Sequence, residues 1–312
     1  MSAAGALAIP YFHLGSIGPI QSFGLIVAIG VLMGSAALRR YAEWHGQSDH
    51  HIRALTGWVT VSGFVGAHVF DVLFYQWNDF VKDPLLILWI WKSISSYGGI
   101  LGGAVGWLIY VRRNRLDMRL YADITVLGLL VAFSLGRIGC TVVSDHVGSA
   151  VDPSHWYAVL AMDYPRAFGD LDQHFPQFTT KHITAWNLGL LEFLYLVPVN
   201  LFVLWYAFRP ARPNGIDEKN SSEKFLDRHN AGMVAALVGL LYAPVRFMLD
   251  FLRFNPHADP RYVGLTFAQW VSMLAFGAAV LLLLRIAKNG KPAEPVRRMP
   301  PTMYGTRPAF RC

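Results

Sequence analysis

The feature that most constrains this chain is a series of apolar runs, each close to the length needed to cross a lipid bilayer. A membrane-spanning helix needs about 20 predominantly apolar residues, and residues 17–38 contain no charged side chain. The run at residues 95–111 is shorter and rich in glycine. Together the runs predict an all-α integral membrane protein with about seven transmembrane helices. The six runs after the first occupy residues 54–75, 95–111, 120–139, 186–208, 232–252 and 265–284.

The composition agrees with a membrane protein and excludes an ordinary soluble one. Of the 312 residues, 54% are hydrophobic and only 15% are charged, which is too apolar for one or two soluble domains. The formal net charge is +7, and 19 of the 27 Lys and Arg fall in the loops on one side of the predicted membrane, against six on the other. This bias places the N-terminus outside and the C-terminus in the cytoplasm. It also explains the net charge without a nucleic-acid partner.

The pattern along the chain predicts one membrane domain, residues 1–287, followed by a disordered basic cytoplasmic tail, residues 288–312. An outer segment, residues 140–184, is inserted between spans four and five. It is rich in Asp, His, Pro and aromatic residues, and we expect it to cap a site that opens outward. Its histidines have no zinc-like spacing, so no metal is predicted. These histidines are His146, His155, His174 and His182.

Two arginines, Arg137 and Arg246, lie within predicted spans. An arginine at mid-helix costs about 3 kcal/mol on insertion scales, so it needs a partner or a ligand. Each could instead snorkel to the interface or pair with an acid such as Asp145, Asp250 or Asp71. Because both arginines lie toward the outer face, we expect them to converge on an anionic phosphate, which matches the guanidinium fork. In a membrane, the abundant anionic phosphate is a phospholipid headgroup.

A stripe of glycines marks the third predicted span. Glycines at four-residue intervals leave one helix face without side chains, which is typical of close helix packing. The alternative is that this smooth face lets a lipid approach the backbone near Tyr97. The stripe consists of Gly98, Gly99, Gly102, Gly103 and Gly106.

Several short strings occur along the chain in a characteristic order and on a matching topology. Any one of them alone would be a weak signal. Together they resemble the bacterial prolipoprotein diacylglyceryl transferases, and the resemblance runs through most of the membrane domain. The strings are GFVGAHVFDVLFY (residues 63–75), FVKDPL (80–85), SYGGILGG (96–103), GRIG (136–139) with Gly148 beyond it, and RFMLDFLR (246–253).

The resemblance implies an enzyme of the bacterial cytoplasmic membrane that needs no dissociable cofactor. It would transfer diacylglyceryl from phosphatidylglycerol to a cysteine thiol, forming a thioether and releasing glycerol phosphate. Its implied partners are phosphatidylglycerol, the prolipoprotein signal peptide with its lipobox cysteine, and the bilayer. The implied phospholipid-binding residues are Arg137, Arg246, Gly98, Gly99, Gly148, and the pair Asp250 and Arg253, which fall where the family usually has Glu and Arg.

The chain departs from the family's signature around the expected chemistry. Tyr97 stands where many members have a histidine, and a neutral phenol is a poorer base at neutral pH, although it can donate a hydrogen bond. Phe23 stands where a tyrosine is usual. After Arg137, the family's Asn, Phe, Asn and Glu are replaced by Cys140, Thr141, Val143 and Asp145.

Three functions are compatible with these residues. The first is the transferase, with catalytic residues Arg137, Arg246, Tyr97 and Asp145. The second is a divergent paralogue that binds phospholipid without this activity or uses another acceptor, because a His, two Asn and a Tyr are absent from one site. The third is a transporter, which the helix count and the intramembrane charges favour. The sequence shows neither the discontinuous helix pair nor the acidic relay of a transporter.

Overall fold

The computed structural model describes residues 8–17, 20–89, 95–168, 171, 181–209, 230–253 and 261–289. Most of these residues are helical, as the long apolar runs predict. The helices are α1 (Ser22–Trp44), α2 (Asp49–Phe74), α3 (Trp77–Lys82), α4 (Ser96–Arg113), α5 (Met118–Val143), α6 (Leu188–Phe208), α7 (Met233–Leu249) and α8 (Phe267–Asn289).

Six of the helices in the described ranges are long and apolar enough to cross a membrane, namely α1, α2, α5, α6, α7 and α8. The protein is therefore a mostly helical, multi-pass membrane protein. The remaining predicted span, residues 95–111, corresponds to α4, a helix of 18 residues. Glycine adds little hydropathy, and α4 ends in Arg112 and Arg113, so this helix is less apolar than the other six.

The chain divides into two compact units. The first unit contains most of α1, all of α5 to α8, and the strands. The second contains the C-terminal end of α1 together with α2, α3 and α4. Among the described residues, the first unit comprises 8–17, 20–38, 118–168, 171, 181–209, 230–253 and 261–289, and the second comprises 39–89 and 95–117.

The first unit also carries a small β-sheet, so the all-α prediction was wrong on this point. Among the described residues, four strands pair in the order β1–β5–β6–β4, with β5 and β6 antiparallel and β1 parallel to β5. Strands β2 and β3 form a separate two-stranded ladder. The strands are β1 (Ile9–Pro10), β2 (Ser16–Ile17), β3 (Ile20–Gln21), β4 (Val147–Ala150), β5 (Ala161–Pro165) and β6 (His182–Asn187).

The sheet has its own hydrophobic core. Met162 and Tyr164 of β5 are buried on either side of the half-buried Asp163, and they pack with Ile183 and Ala185 of β6, together with Leu171. Burial raises the pKa of Tyr164 to about 12, so its hydroxyl stays neutral at physiological pH. The described part of the predicted outer segment is thus a folded structure with a buried interior.

The glycine stripe packs α4 closely against α2 in the second unit. A methyl group placed on Gly66 would lie only 2.6 Å from the carbonyl oxygen of Gly98 and 2.7 Å from the Cα of Gly102. No side chain fits at these distances. Close helix packing, which the spacing of the glycines predicts, therefore accounts for this face of α4.

A buried carboxylate on α5 fixes the start of α7. Asp123 is 1% exposed and accepts hydrogen bonds from the backbone N–H groups of Gly232, at 2.7 Å, and Ala235, at 2.8 Å. The first N–H groups of a helix have no partner within the helix, so this side chain satisfies two of them. Gly232 adopts φ +95°, which glycine tolerates far better than other residues. The contact ties α7 to α5 across more than 100 residues.

We expect Asp123→Ala to destabilise the protein. The substitution leaves the N–H groups of Gly232 and Ala235 without their acceptor, and an unsatisfied buried polar group costs about 1–3 kcal/mol. The melting temperature of the detergent-purified variant should fall below that of the wild type. Asp79→Ala is the control, because its carboxylate is 70% exposed and should leave the melting temperature nearly unchanged. Equal melting temperatures for the two variants would contradict the capping role.

Candidate functional site

Arg137, near the C-terminal end of α5, faces a carboxylate on α6. Its Nε lies 3.0 Å from Oε2 of Glu192, and the two side chains are 13% and 4% exposed. Its guanidinium carbon lies 4.4 Å from the centre of the Phe133 ring, a cation–π distance. The ion pair and the ring offset the cost of placing an arginine within a membrane-spanning helix.

Arg246, in the last turn of α7, shares that carboxylate. Its Nε lies 3.8 Å from Oε1 of Glu192, and its Nη1 lies 3.2 Å from Oδ1 of Asp250. The hydroxyl of Tyr242 donates a hydrogen bond to Oε1 of Glu192. The two intramembrane arginines therefore meet at a single glutamate.

Asp250, directly after α7, links Arg246 to Arg253, and Arg253 in turn contacts strand β4 of the sheet. It is 1% exposed, accepts a hydrogen bond from the Thr266 hydroxyl, and lies 4.0 Å from Nε of Arg253. The backbone of Arg253 pairs with that of Gly148 in an antiparallel bridge. A methyl group on Gly148 would lie 2.8 Å from the carbonyl oxygen of Leu252, so the close approach requires glycine.

We refer to Arg137, Glu192, Arg246, Asp250 and Arg253 as the arginine cluster. Its three guanidinium groups outnumber its two carboxylates, so with every member ionised the cluster carries one excess positive charge. In the low-dielectric surroundings of membrane helices, this charge attracts an anion more strongly than it would in water. The cluster thus has the electrostatics of a site for a singly charged anion.

The sequence identified four of the five members and missed Glu192. A signal was present, because Glu192 is an acid within an otherwise apolar run, and an ionisable residue inside a membrane span is by default a functional candidate. Of the acids expected to pair with the arginines, Asp250 does so. Asp71 instead accepts a hydrogen bond from Nε2 of Gln76 at 2.5 Å, and Asp145 bonds to His146.

The predicted catalytic residue Asp145 belongs to a second group of side chains, at the turn that follows α5. Its Oδ1 lies 2.6 Å from Nδ1 of His146. Cys140, on the last turns of α5, is close to both of them, and its Sγ lies 3.7 Å from Nη1 of Arg137. The arginine cluster and this second group are therefore neighbours in the first unit.

The predicted residues Tyr97, Gly98 and Gly99 lie in the first turn of α4, in the second unit. The side chain of Tyr97 is outside the described part of the structure. A methyl group on Gly98 would lie 2.9 Å from the Cα of Ala67, whereas one on Gly99 would lie 3.7 Å from the Cβ of Ala67, an ordinary contact. Gly98 is thus required for packing, and the lipid-binding roles of the two glycines stay predictions.

Two of the residues that depart from the family's signature make contacts within the first unit. Phe23 of α1 lies against Gly139 of α5, where a methyl group would be 3.0 Å from the ring. The hydroxyl of Thr141 donates to the carbonyl oxygen of Arg137 at 2.8 Å. Both residues therefore pack around the end of α5 that carries Arg137.

Comparison with known proteins decides the family. The family model described as prolipoprotein diacylglyceryl transferase matches residues 11–285. The chain belongs to the prolipoprotein diacylglyceryl transferase family. The resemblance noted from the ordered strings is thereby confirmed, and the match includes every residue of the arginine cluster.

Individual relatives match over most of their length. The phosphatidylglycerol–prolipoprotein diacylglyceryl transferase of Staphylococcus carnosus is 30% identical over 265 residues, covering 81% of this chain and 94% of that protein. The protein of the same name from Mannheimia succiniciproducens is 28% identical, covering 89% and 92%. The one from Synechococcus elongatus is 27% identical, covering 86% and 85%. This diacylglyceryl transferase family member is therefore similar to whole enzymes rather than to a part of them.

We expect Glu192→Gln to destabilise the protein strongly. The glutamine is similar in size but leaves Arg137 and Arg246 without their shared counter-charge, and removing one partner of a buried ion pair costs about 3–5 kcal/mol. Thermal unfolding in detergent measures the loss. The matched control is Glu43→Gln, whose carboxylate is 61% exposed and 4.0 Å from Arg40; an exposed pair contributes about 1 kcal/mol or less. A melting temperature for Glu192→Gln equal to that of the control would refute the shared counter-charge.

Proposed function

We propose that this protein transfers the diacylglyceryl group of phosphatidylglycerol to the lipobox cysteine thiol of prolipoproteins, forming a thioether and releasing glycerol phosphate. The observation that carries the proposal is the meeting of Arg137 and Arg246 at Glu192, with one excess positive charge in the cluster. The relatives named for this activity add support.

The charge of the cluster suits the phosphodiester of phosphatidylglycerol, which carries one negative charge. Glu192 supplies the counter-charge of both guanidinium groups, with its carboxylate oxygens 3.0 Å from Nε of Arg137 and 3.8 Å from Nε of Arg246. A guanidinium has five N–H donors, so several donors of each arginine remain for a phosphate. Nη1 of Arg137 lies 3.7 Å from Sγ of Cys140. We propose that the phosphate binds to Arg137, Arg246 and Arg253 of the first unit, with Gly148 allowing close approach of the lipid. Lipid binding by Gly98 and Gly99 of the second unit stays a prediction of the sequence.

In the proposed reaction, the acceptor sulfur attacks the glycerol carbon that carries the phosphate. The C–S bond forms as the C–O bond breaks, and the electron pair of that bond goes to the leaving phosphate. The phosphate gains negative charge during this step, and oriented donors that meet developing charge stabilise the transition state. This is the proposed catalytic role of Arg137 and Arg246.

The acceptor thiol must also lose its proton. We assign this deprotonation to the group that contains Asp145, since Asp145 is bonded to His146 and lies close to Cys140, whose Sγ contacts Arg137. Tyr97 is the remaining predicted catalytic residue, as a hydrogen-bond donor. The proposed chemistry needs no dissociable cofactor.

The proposed membrane arrangement has seven spans, with α4 as the additional one. The N-terminus lies outside and the C-terminus in the cytoplasm, because 19 of the 27 basic residues fall in the loops and tail that this arrangement makes cytoplasmic. Residues 1–287 form the membrane domain, with residues 140–184 on the outer side, and residues 288–312 form the basic tail. The proposed location is the bacterial cytoplasmic membrane.

A second candidate keeps the phospholipid site but changes the chemistry. The observation that favours it is the loss of a His, two Asn and a Tyr from the signature, at Tyr97, Cys140, Val143 and Phe23. Such a protein would bind phospholipid without transferring it to prolipoproteins, or would use another acceptor.

Incubation of the purified protein with a lipobox peptide and phosphatidylglycerol vesicles distinguishes the two candidates. We expect a peptide mass increase of one diacylglyceryl group on the cysteine and release of an equal amount of glycerol phosphate, both measured by mass spectrometry. Folded protein that binds phosphatidylglycerol but yields no thioether would reject the transferase and favour the second candidate.

We expect Arg137→Lys and Arg246→Lys each to lower kcat/KM for thioether formation by about 100-fold, the usual cost of one oriented donor to a transition-state oxyanion. Lysine keeps the charge but lacks the planar fork, so it does not replace arginine at such a site. The control is Arg53→Lys, whose side chain is 67% exposed beside Asp49. Wild-type kcat/KM in both cluster variants would show that the guanidinium groups do not act on the phosphate.

A further inference from the structure

A short 3₁₀ helix, Trp156–Leu160, precedes strand β5 and exposes apolar side chains. Trp156 is 79% exposed, Val159 47% and Leu160 37%. In a 3₁₀ helix, residues three apart lie on the same face, so Trp156 and Val159 are neighbours on its surface. We refer to this helix as the Trp156 turn. Single exposed apolar residues are common, but a contiguous group of them indicates a contact surface.

The Trp156 turn is held against the sheet from its inner side. Ala158 is fully buried and packs with Val151 and Ala161. The ring of Tyr157 stacks on the ring of Trp186 in β6, with the centroids 5.9 Å apart and the planes at 28°. A fixed scaffold therefore presents the exposed apolar face.

Strand β6 leads directly into a membrane-spanning helix. The strand ends at Asn187, and α6 begins at Leu188. The side-chain oxygen of Asn187 accepts a hydrogen bond from the N–H of Leu190 at 3.0 Å, so the helix is capped where the strand ends. Because α6 opens with the apolar sequence LGLL, the apolar layer of the bilayer begins close to this end of β6.

The register of the sheet places the Trp156 turn at the same end. Ala161, which directly follows the turn, pairs with Trp186. Pro165 pairs with His182 at the opposite end of β6. The turn therefore lies beside the start of α6, and the far end of the sheet lies away from it.

The chemistry of the exposed face suits the boundary between lipid headgroups and acyl chains. Tryptophan is enriched at this level of membrane proteins, because its ring is apolar and its indole N–H can donate a hydrogen bond. Val159 and Leu160 add apolar surface beside it. A partner protein could cover the same side chains, but lipid surrounds the start of a membrane-spanning helix at all times, so the position favours lipid.

We infer that the Trp156 turn inserts into the headgroup boundary of the bilayer, at the surface where α6 enters it, and anchors the sheet to the lipid. The inference uses the multi-pass fold and does not depend on the proposed transferase function. Gly148 of the same sheet pairs with Arg253, so the anchor also limits how far this member of the arginine cluster can move relative to the headgroups.

Lipid contact of a probe on the turn tests the inference. The full-length protein carries Val159→Cys, labelled with a small fluorophore, in nanodiscs of phosphatidylethanolamine and phosphatidylglycerol, which leave both membrane faces open to solvent. Of the two natural cysteines, Cys140 is buried and Cys312 is replaced by serine. We expect strong quenching by lipids that carry bromine on the acyl chains and little quenching by aqueous iodide.

The matched control is Lys181→Cys, labelled in the same way. Lys181 is also exposed and directly precedes β6, at a distance of about 17 Å along the chain direction from Trp186. Its probe belongs to the same sheet but lies at the end away from α6. It should be quenched by iodide and not by brominated lipid.

Replacement of the tryptophan tests whether that side chain is the anchor. Trp156→Ser in the labelled Val159→Cys protein should remove most of the quenching by brominated lipid. Trp156→Phe should retain it, because phenylalanine keeps an apolar ring. Both variants should fold, since Trp156 is largely exposed. Equal quenching in the serine and phenylalanine variants would show that the aromatic ring does not anchor the turn.

Other outcomes also overturn the inference. Strong iodide quenching at position 159 without quenching by brominated lipid places the turn in water, and brominated-lipid quenching at both positions removes the specific role of the turn. A probe at position 159 that is shielded from iodide only after a lipobox peptide is added assigns the face to the acceptor. The readout is lipid contact and not thioether formation, so an inactive protein with an inserted turn rejects the transferase and retains the anchor.

Discussion

The shared ion pair of Glu192 with Arg137 and Arg246 is the interaction on which the proposed site depends. A single arginine in a membrane helix needs a counter-charge, and two of them near one another would repel without a carboxylate between them. Glu192 removes that repulsion and joins α5, α6 and α7 at one point. The buried carboxylate therefore allows two guanidinium groups to lie close together within the membrane helices.

Two features of the fold follow directly from patterns in the sequence: the membrane helices and the packing of α4 against α2. Apolar runs of bilayer length predicted the membrane helices, and the spacing of the glycines predicted the tight packing of α4 on α2. The small sheet was missed because its strands are two to six residues long and pair across distant segments. Glu192 was missed because its partners lie 55 residues before it and 54 after it. Contacts of this kind are set by helix packing, which no local pattern records.

Two neighbouring groups at the end of α5 serve different steps of the proposed reaction. The arginine cluster binds the phosphate, and the group of Cys140, Asp145 and His146 lies where the thiol loses its proton. Arg137 lies at their boundary, since it pairs with Glu192 on one side and contacts Cys140 on the other. Phosphate departure and thiol activation would then occur around the same residue.

The hydrogen bond between Thr266 and Asp250 has a consequence for biogenesis. Membrane helices enter the bilayer in the order of synthesis, so Glu192 arrives with Arg137 before Arg246 has been made. The carboxylate of Asp250 gains its hydroxyl partner only when Thr266, directly before α8, emerges. A nascent chain would therefore hold an unfinished charge cluster until nearly its last span.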